Sequence, residues 1–470
     1  MLTPRNARRS ARWALVSLSL SMLLSSLGTS IANVGLPGLA EAFDASFQQV
    51  QWVVLAYLLV ITTLIVSAGR LGDIVGRRRL LLIGLALFTV ASLLCGGAPT
   101  LALLIFGRAV QGLGAAIMMA LALAFVGATV SKEKTGSAMG LLGTMSAVGT
   151  ALGPSLGGVL IAVTGWRAIF LINVPLGLLA ILLAHRYLAD DRAGEHGPSG
   201  MDRSDFDIAG TLLLAITLGT YALAMTIGRS HIGPSNIALL SVAVLGAGLF
   251  VFVETKVASP LLSLSMFRDS ALGKSLAMNV VVSTVMMATL VVGPFYLSRA
   301  LGLGSAAVGI VMSVGPVTSA LSGVLAGRIV DRFGAPWMIV IGLIQMAVGT
   351  CAVSFASGIL GISGYVIAIL ILSPGYQLFQ AANNTTVMMN VGADQRGVVS
   401  GMLSLSRNLG LITGAAAMGA VFAFASGSPD VATAAPEAVA SGMRTTFAIA
   451  TVLVVVAIAL ARREEITSRA

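Results

Sequence analysis

Fourteen apolar runs, each close to a bilayer-spanning length, constrain what this chain can fold into more than any other feature. A helix rises 1.5 Å per residue, so about 20 residues cross the hydrocarbon of a bilayer. The runs lie at roughly 14–36, 51–70, 80–98, 100–124, 137–162, 166–186, 207–228, 236–255, 273–297, 305–327, 337–356, 362–386, 399–424 and 443–461. Short polar segments separate them, so neighbouring helices should run mostly antiparallel. In lipid a helix satisfies its backbone polar groups within one segment. The expected fold is therefore all-α and integral to a membrane, with 14 transmembrane helices. The first run follows Arg5, Arg8, Arg9 and Arg12, as the apolar stretch of a secretory leader would. It is too long for one, and reads as the first helix.

Composition agrees. Of 470 residues, 57% are hydrophobic and 10% charged. A soluble domain carries about 25% charged residues, so the apolar side chains must face lipid and one another. The net charge of +10 could suggest nucleic acid. That partner is rejected, because the basic residues sit in short loops and not on one water-facing surface. Arg108 and Arg407 fall within spans, and Arg167, Arg229, Arg299 and Arg444 in loops on one side. The other 22 of the 28 Lys and Arg share a side with the termini. The positive-inside rule makes that side the cytoplasm. A multi-pass protein of the cell (inner or plasma) membrane with both termini inside is expected. Cys95 and Cys351 lie in or beside apolar runs and imply no disulfide framework.

The chain repeats itself. Gly69-Arg70-Leu71-Gly72-Asp73-Ile74-Val75-Gly76-Arg77-Arg78-Arg79 joins the second and third runs, and Gly327-Arg328-Ile329-Val330-Asp331-Arg332-Phe333-Gly334 follows 258 residues later. Gly136, Gly140, Gly149 and Gly153 match Gly397, Gly401, Gly410 and Gly414 at an offset of 261. Two pseudo-symmetric six-helix bundles are expected, with runs seven and eight inserted between them. The corresponding domains are 1–190, 191–258 (linker and inserted helices) and 259–470. Duplicated membrane bundles are a transporter architecture.

Four motifs now stand in order: the turn at 69–79; Arg108-Ala-Val-Gln111-Gly112-Leu-Gly114; Gly149-Thr-Ala-Leu-Gly153-Pro154-Ser-Leu-Gly157-Gly158; and Trp166-Arg167-Ala-Ile-Phe170-Leu-Ile-Asn173-Val-Pro175-Leu-Gly177. Together with the fourteen spans they resemble the major facilitator superfamily, specifically its fourteen-helix drug–proton antiporter family, over essentially the whole chain. The resemblance implies efflux of small, amphipathic or drug-like compounds by alternating access, powered by a proton gradient, with no metal or organic cofactor. One departure stands out. The family's first helix usually carries an aspartate in the frame Leu-Asp-x-Thr-x-x-Asn, and here the frame reads Leu27-Gly28-Thr29-Ser30-Ile31-Ala32-Asn33.

The candidate residues fall into groups. Gly69, Asp73 and Arg77, with Asp331 and Arg332 in the second copy, form either a topogenic basic loop or a charge latch between bundles. Gly149, Gly153, Pro154, Gly157 and Gly158 allow close helix approach, and Pro154 removes a backbone donor. By the resemblance this helix seals the bundle interface. Asn33, Tyr57, Arg108 and Gln111 are cavity candidates in the first half. Tyr376, Gln377, Gln380 and Asn384 are their counterparts on the twelfth run, where 377, 380 and 384 share a face. Arg407 joins them. An arginine at membrane depth is costly and marks a functional site by default. The alternative for Arg108 and Arg407 is hydrogen bonding to backbone carbonyls, Gln111 or Asn408.

All 18 acidic residues fall in loops or at span ends. Arginine stays charged and cannot carry a proton. With Gly28 in place of the aspartate, the candidates for proton coupling are Glu41 and Asp44 at the outer mouth and Asp73, Asp207 and Glu254 at the inner one. Arg108 has a coupling role by the resemblance alone. Two buried arginines without a buried acid favour neutral or anionic cargo over a lipophilic dication. The partners expected are a small-molecule substrate and the lipid bilayer, with the protein acting as a monomer. The alternative within transport is an exporter or facilitator of a lipid or anionic metabolite. An enzyme is disfavoured, because His185, His196 and His231 are scattered and no acid–base pair lies at membrane depth.

Overall fold

The computed structural model describes residues 4–129, 135–188, 207–227, 233–257, 270–389, 396–427, 431 and 433–467. These residues contain fourteen helices long and apolar enough to cross a membrane: α1 Arg12–Val34, α2 Phe47–Ile65, α3 Arg77–Gly96, α4 Leu101–Phe125, α5 Leu141–Thr164, α6 Ala168–Tyr187, α7 Ala209–Thr226, α8 Pro234–Glu254, α9 Ala271–Ala300, α10 Ser305–Gly323, α11 Ala335–Phe355, α12 Gly358–Met389, α13 Gly401–Ala425 and α14 Pro436–Arg462. The expected all-α, fourteen-span architecture is observed.

Two compact units are present. The first holds Met1–Ala32, Trp52–Gly219 and Val244–Leu261, and the second Asn33–Gln51, Thr220–Ala243 and Leu262–Ala470. The inserted helices α7 and α8 thus contribute to both. In the first unit the core is built from Leu18, Leu24, Leu81, Leu85, Phe88, Met118 and Leu121 on α1, α3 and α4. The outward side chains of α8, such as Val244, Leu245 and Phe252, are exposed and apolar. That is the surface a lipid-facing helix needs.

The internal repeat is a repeat of packing. In the first unit, a Cβ on Gly114 would lie 2.6 Å from the Gly84 carbonyl and 2.7 Å from the Phe88 amide. In the second, a Cβ on Gly375 would lie 2.9 Å from the Gly342 carbonyl and 3.0 Å from the Met346 amide. The absent side chains let α3 touch α4, and α11 touch α12, backbone to backbone. The pair α1–α5 and the pair α9–α13 repeat the device. A Cβ on Gly149 would strike the Leu23 carbonyl, and one on Gly410 the Val280 carbonyl. Small residues of this kind bring membrane helices together by dispersion contact.

The two basic turns also match in backbone form. Gly76 closes the first at φ 101° and Gly334 the second at φ 85°. Both are conformations that a side chain disfavours. The Gly76 amide bonds the Gly72 carbonyl at 3.1 Å, and the Gly334 amide the Val330 carbonyl at 2.9 Å. Gly361, at φ 58°, kinks the chain near the start of α12.

Candidate functional site

In the first unit, α1, α2, α3 and α4 converge on Arg108, whose side chain is fully buried. Its Nε donates to the Val53 carbonyl at 2.8 Å, and one terminal nitrogen donates to the Gly28 carbonyl at 2.9 Å. The other terminal nitrogen donates to Gln111 Oε1 at 2.5 Å. Gln111 in turn donates from Nε2 to Ser92 Oγ at 2.8 Å. The guanidinium lies 4.0 Å from the centre of the Tyr57 ring, and the Tyr57 hydroxyl donates to the Ser25 carbonyl at 2.7 Å. Among the described residues no carboxylate pairs with Arg108. Its charge is spread over carbonyl dipoles, an amide and an aromatic face, all favourable to a cation in a dry site.

Tyr57, Arg108 and Gln111 are thus brought together, and Arg108 takes the hydrogen bonds to backbone carbonyls and Gln111 that its alternative reading named. The carbonyls of Gly28 and Val53 and the hydroxyl of Ser92 complete the cluster. Asn33 is fully buried and belongs to the second unit.

In the second unit Tyr376, Gln377 and Gln380 are half-buried and Asn384 is exposed. Gln380 Nε2 and the Tyr376 hydroxyl lie 3.0 Å apart in a hydrogen bond. These residues form a polar stripe along α12, while Asn383, behind it, is buried. Arg407 corrects an expectation. It is exposed, not buried, because α13 turns Ser406, Gly410 and Gly414 toward α9 and leaves the Arg407 sector open.

A second correction concerns the acids. Asp207 and Glu254 sit at span ends, as expected, but both are buried, at 6% and 3% exposure. Asp207 caps α7, its Oδ1 accepting from the Gly210 amide at 2.7 Å. A cap satisfies a helix-end donor that would otherwise be orphaned. A Cβ on Gly210 would strike Asp207 Oδ2 and lie 2.7 Å from Glu254 Oε1. The ends of α7 and α8 meet across that glycine. One turn further on, Thr211 Oγ1 hydrogen-bonds Ser67 Oγ at 2.9 Å.

The remaining candidates are dispersed. Glu41 is exposed and accepts from Arg299 at 2.6 Å within the second unit. Asp44 is exposed at φ 46°. Gly69 and Arg77 are half-buried, and Asp331 and Arg332 are exposed. The Asp73 side chain lies outside the described residues. Gly149, Gly153, Pro154, Gly157 and Gly158 are all buried on α5, which stays helical through Pro154.

Sequence reasoning missed the contact that holds residues 33–51 in the second unit. Gln51 Nε2 donates to the Ala415 carbonyl at 3.0 Å, inside a π-helical turn, Gly414–Met418. Beside it the Phe47 ring meets Phe295 edge-on at 4.7 Å and Phe422 at 5.4 Å.

A family model described as the Major Facilitator Superfamily matches residues 18–415 and 275–469. Multidrug resistance protein Stp of Mycobacterium tuberculosis is 32% identical over 414 residues, covering 87% of this chain and 75% of that protein. Multidrug efflux pump LfrA of Mycolicibacterium smegmatis is 29% identical, covering 89% and 83%. Riboflavin transporter RibZ of Clostridioides difficile is also 29% identical, covering 88% of each. Among solved structures, a bacterial homologue of the human lysosomal transporter Spinster superposes with a TM-score of 0.67 at 16% identity, covering 96% of each chain. The xylose transporter XylE of E. coli gives 0.63 at 12% identity and the same coverage. At such identities these structures speak for the fold alone.

Proposed function

The chain belongs to the major facilitator superfamily, and on that premise we propose that it is a secondary active exporter of small amphipathic or drug-like compounds, working by alternating access with proton antiport. Its relatives are transporters, not enzymes, and several are named for multidrug resistance or efflux. The observation that carries the reading is the repeated helix packing, in which Gly84–Gly114 and Gly342–Gly375 make equivalent crossings. Duplicated bundles of this kind place a cargo site near mid-membrane. The protein resides in the cell membrane with its termini in the cytoplasm, and one copy suffices.

Coupling is sited away from Arg108, since Gly28 offers it a carbonyl where the family has a carboxylate. The carriers are drawn from Glu41, Asp44, Asp73, Asp207 and Glu254. The test is flux in proteoliposomes under an imposed pH gradient, with these five carboxylates neutralised singly and together. Loss of gradient-driven flux is expected. Full coupling in the fivefold variant would sink this siting. An overexpressing, efflux-deficient host should also gain drug tolerance. If it gains none, the metabolite reading is favoured, to which the riboflavin-transporter relative already lends support.

A further inference from the structure

The two arginines within the spans differ in what they have left to offer. Arg108 is fully buried, and each of its nitrogens already donates to Val53, Gly28 or Gln111. Arg407 is exposed and makes no hydrogen bond or ion pair with any described residue. It lies six residues into α13, or about 9 Å at 1.5 Å per residue.

What Arg407 faces follows from its helix. Met402, Leu405 and Ile412 are buried, and Leu403, Ser406, Gly410 and Gly414 pack on α9. At 100° per residue the remaining sector carries Ser404, Arg407, Asn408 and Leu411, all at least partly open. Lipid-facing sectors of this protein look different. The exposed side chains of α8 include Val242, Val244, Leu245, Leu249 and Phe252. A guanidinium and an amide in such a position would cost several kcal/mol in hydrocarbon, so this sector of α13 faces water. The wet sector also ends. Further along the same side, Ala415 and Met418 are covered, and the Ala415 carbonyl takes the Gln51 amide. Arg407 therefore stands on an open sector of α13 that ends where Ala415 and Met418 are covered.

Among the described residues no acid pairs with it. Of the second unit's carboxylates, the side chains described are those of Glu41, Asp44, Asp331 and Glu437. Glu41, at the end of the short helix Leu36–Ala42, is paired with Arg299, and Asp44 lies in the turn that follows. Asp331 lies in the last turn of the helix Ser305–Phe333, and Glu437 at the head of α14. We propose that Arg407 is the anion-recognising residue of the transport site, and that this chain prefers cargo bearing a carboxylate or similar monoanionic group. The guanidinium fork matches a carboxylate through two parallel N–H···O bonds. The proposal rests on the transporter reading and adds the charge of the cargo.

Three dansyl probes of matched size test it with the full-length protein: dansylglycine, its neutral methyl ester, and a dansylated quaternary amine. Binding is read by fluorescence titration in detergent, and movement by flux in proteoliposomes. The wild type should bind dansylglycine most tightly. Arg407→Gln should weaken dansylglycine about tenfold or more, the loss of a charge-assisted pair, and leave the ester within about twofold. Arg407→Lys should retain part of the preference. Equal weakening of all three probes in Arg407→Gln would show a structural arginine and overturn the assignment. If the wild type moves the ester or the amine but not the anion, the exporter reading stands and the anion proposal falls. If it moves none of the three, both fall.

Discussion

The Arg108 guanidinium donates to the Gly28 carbonyl at 2.9 Å, at the position where the resemblance led one to expect a carboxylate. The Tyr57 hydroxyl occupies the space that side chain would need. It lies 2.8 Å from an ideal Cβ on Gly28 and is itself held by the Ser25 carbonyl at 2.7 Å. The pocket as it stands leaves no room for a side chain at position 28 and is packed around a glycine.

It follows that Gly28→Asp does not simply restore a carboxylate–arginine pair. The new Cβ must displace a ring that is fully buried and stacked under Arg108. Overpacking of this kind costs about 1–3 kcal/mol. A lower melting temperature in detergent is expected for Gly28→Asp. In a Tyr57→Phe background the nearest remaining ring atom is Cζ at 3.3 Å, so the added cost should be at least halved. Additive effects in this double-mutant cycle would show that the two side chains do not compete for space.

Arg108→Lys tests the fork. An ammonium keeps the charge but is a compact point, and it cannot reach Val53, Gly28 and Gln111 together. Each buried acceptor left unmet costs about 1–3 kcal/mol. Flux should fall at least about tenfold and melting temperature should drop. The exposed Arg186→Lys should match the wild type in both. Wild-type flux from Arg108→Lys would mean that charge alone is what the site needs.

The glycine crossings make a graded prediction. Gly114→Ala and Gly375→Ala push a methyl against facing backbone, which cannot swing away as a side chain can. Each should cost about 1–3 kcal/mol. Gly143→Ala and Gly401→Ala meet nothing within 4 Å. In a helix they should be neutral or stabilise by up to about 1 kcal/mol. Thermal melts of the four variants decide it, and equal destabilisation across the set would contradict the packing account.

How much of this could be read from the residues depends on what each contact is made of. The crossings leave letters behind, because only glycine permits them, and so the repeat and the fourteen spans were legible. Arg108 with Gln111 was legible too, as a charge and an amide one turn apart. Its other partners were not, because the carbonyls of Gly28 and Val53 belong to every residue alike. Burial of Asp207 and Glu254 arises where two helix ends meet across Gly210, a tertiary event invisible in local spacing. Arg407 shows the converse. Its depth along the helix was readable, but the side it faces was set by how Gly410 and Gly414 seat α13 on α9.

Gln51 is the contact least foreshadowed, since it follows Gln48 and Gln49 and looks like loop polarity. Its partner Ala415 lies 364 residues away in a π-helical turn. Such turns depart from the usual helical hydrogen-bond ladder and recur at functional sites. A Cβ on Gly419 would strike the Gln51 amide nitrogen, so the glycine is what admits the side chain. Gly419→Ala should expel Gln51, leave the Ala415 carbonyl without that donor and lower stability by about 1–3 kcal/mol. Gln51→Ala removes the same bond without a clash. Once the side chain is gone, adding Gly419→Ala should cost little more, so the double variant should melt close to Gln51→Ala alone. Melting temperatures of the two singles and the double close the cycle. A double variant that loses the full sum of both effects would show that Gly419 serves the helix and not the seat of Gln51.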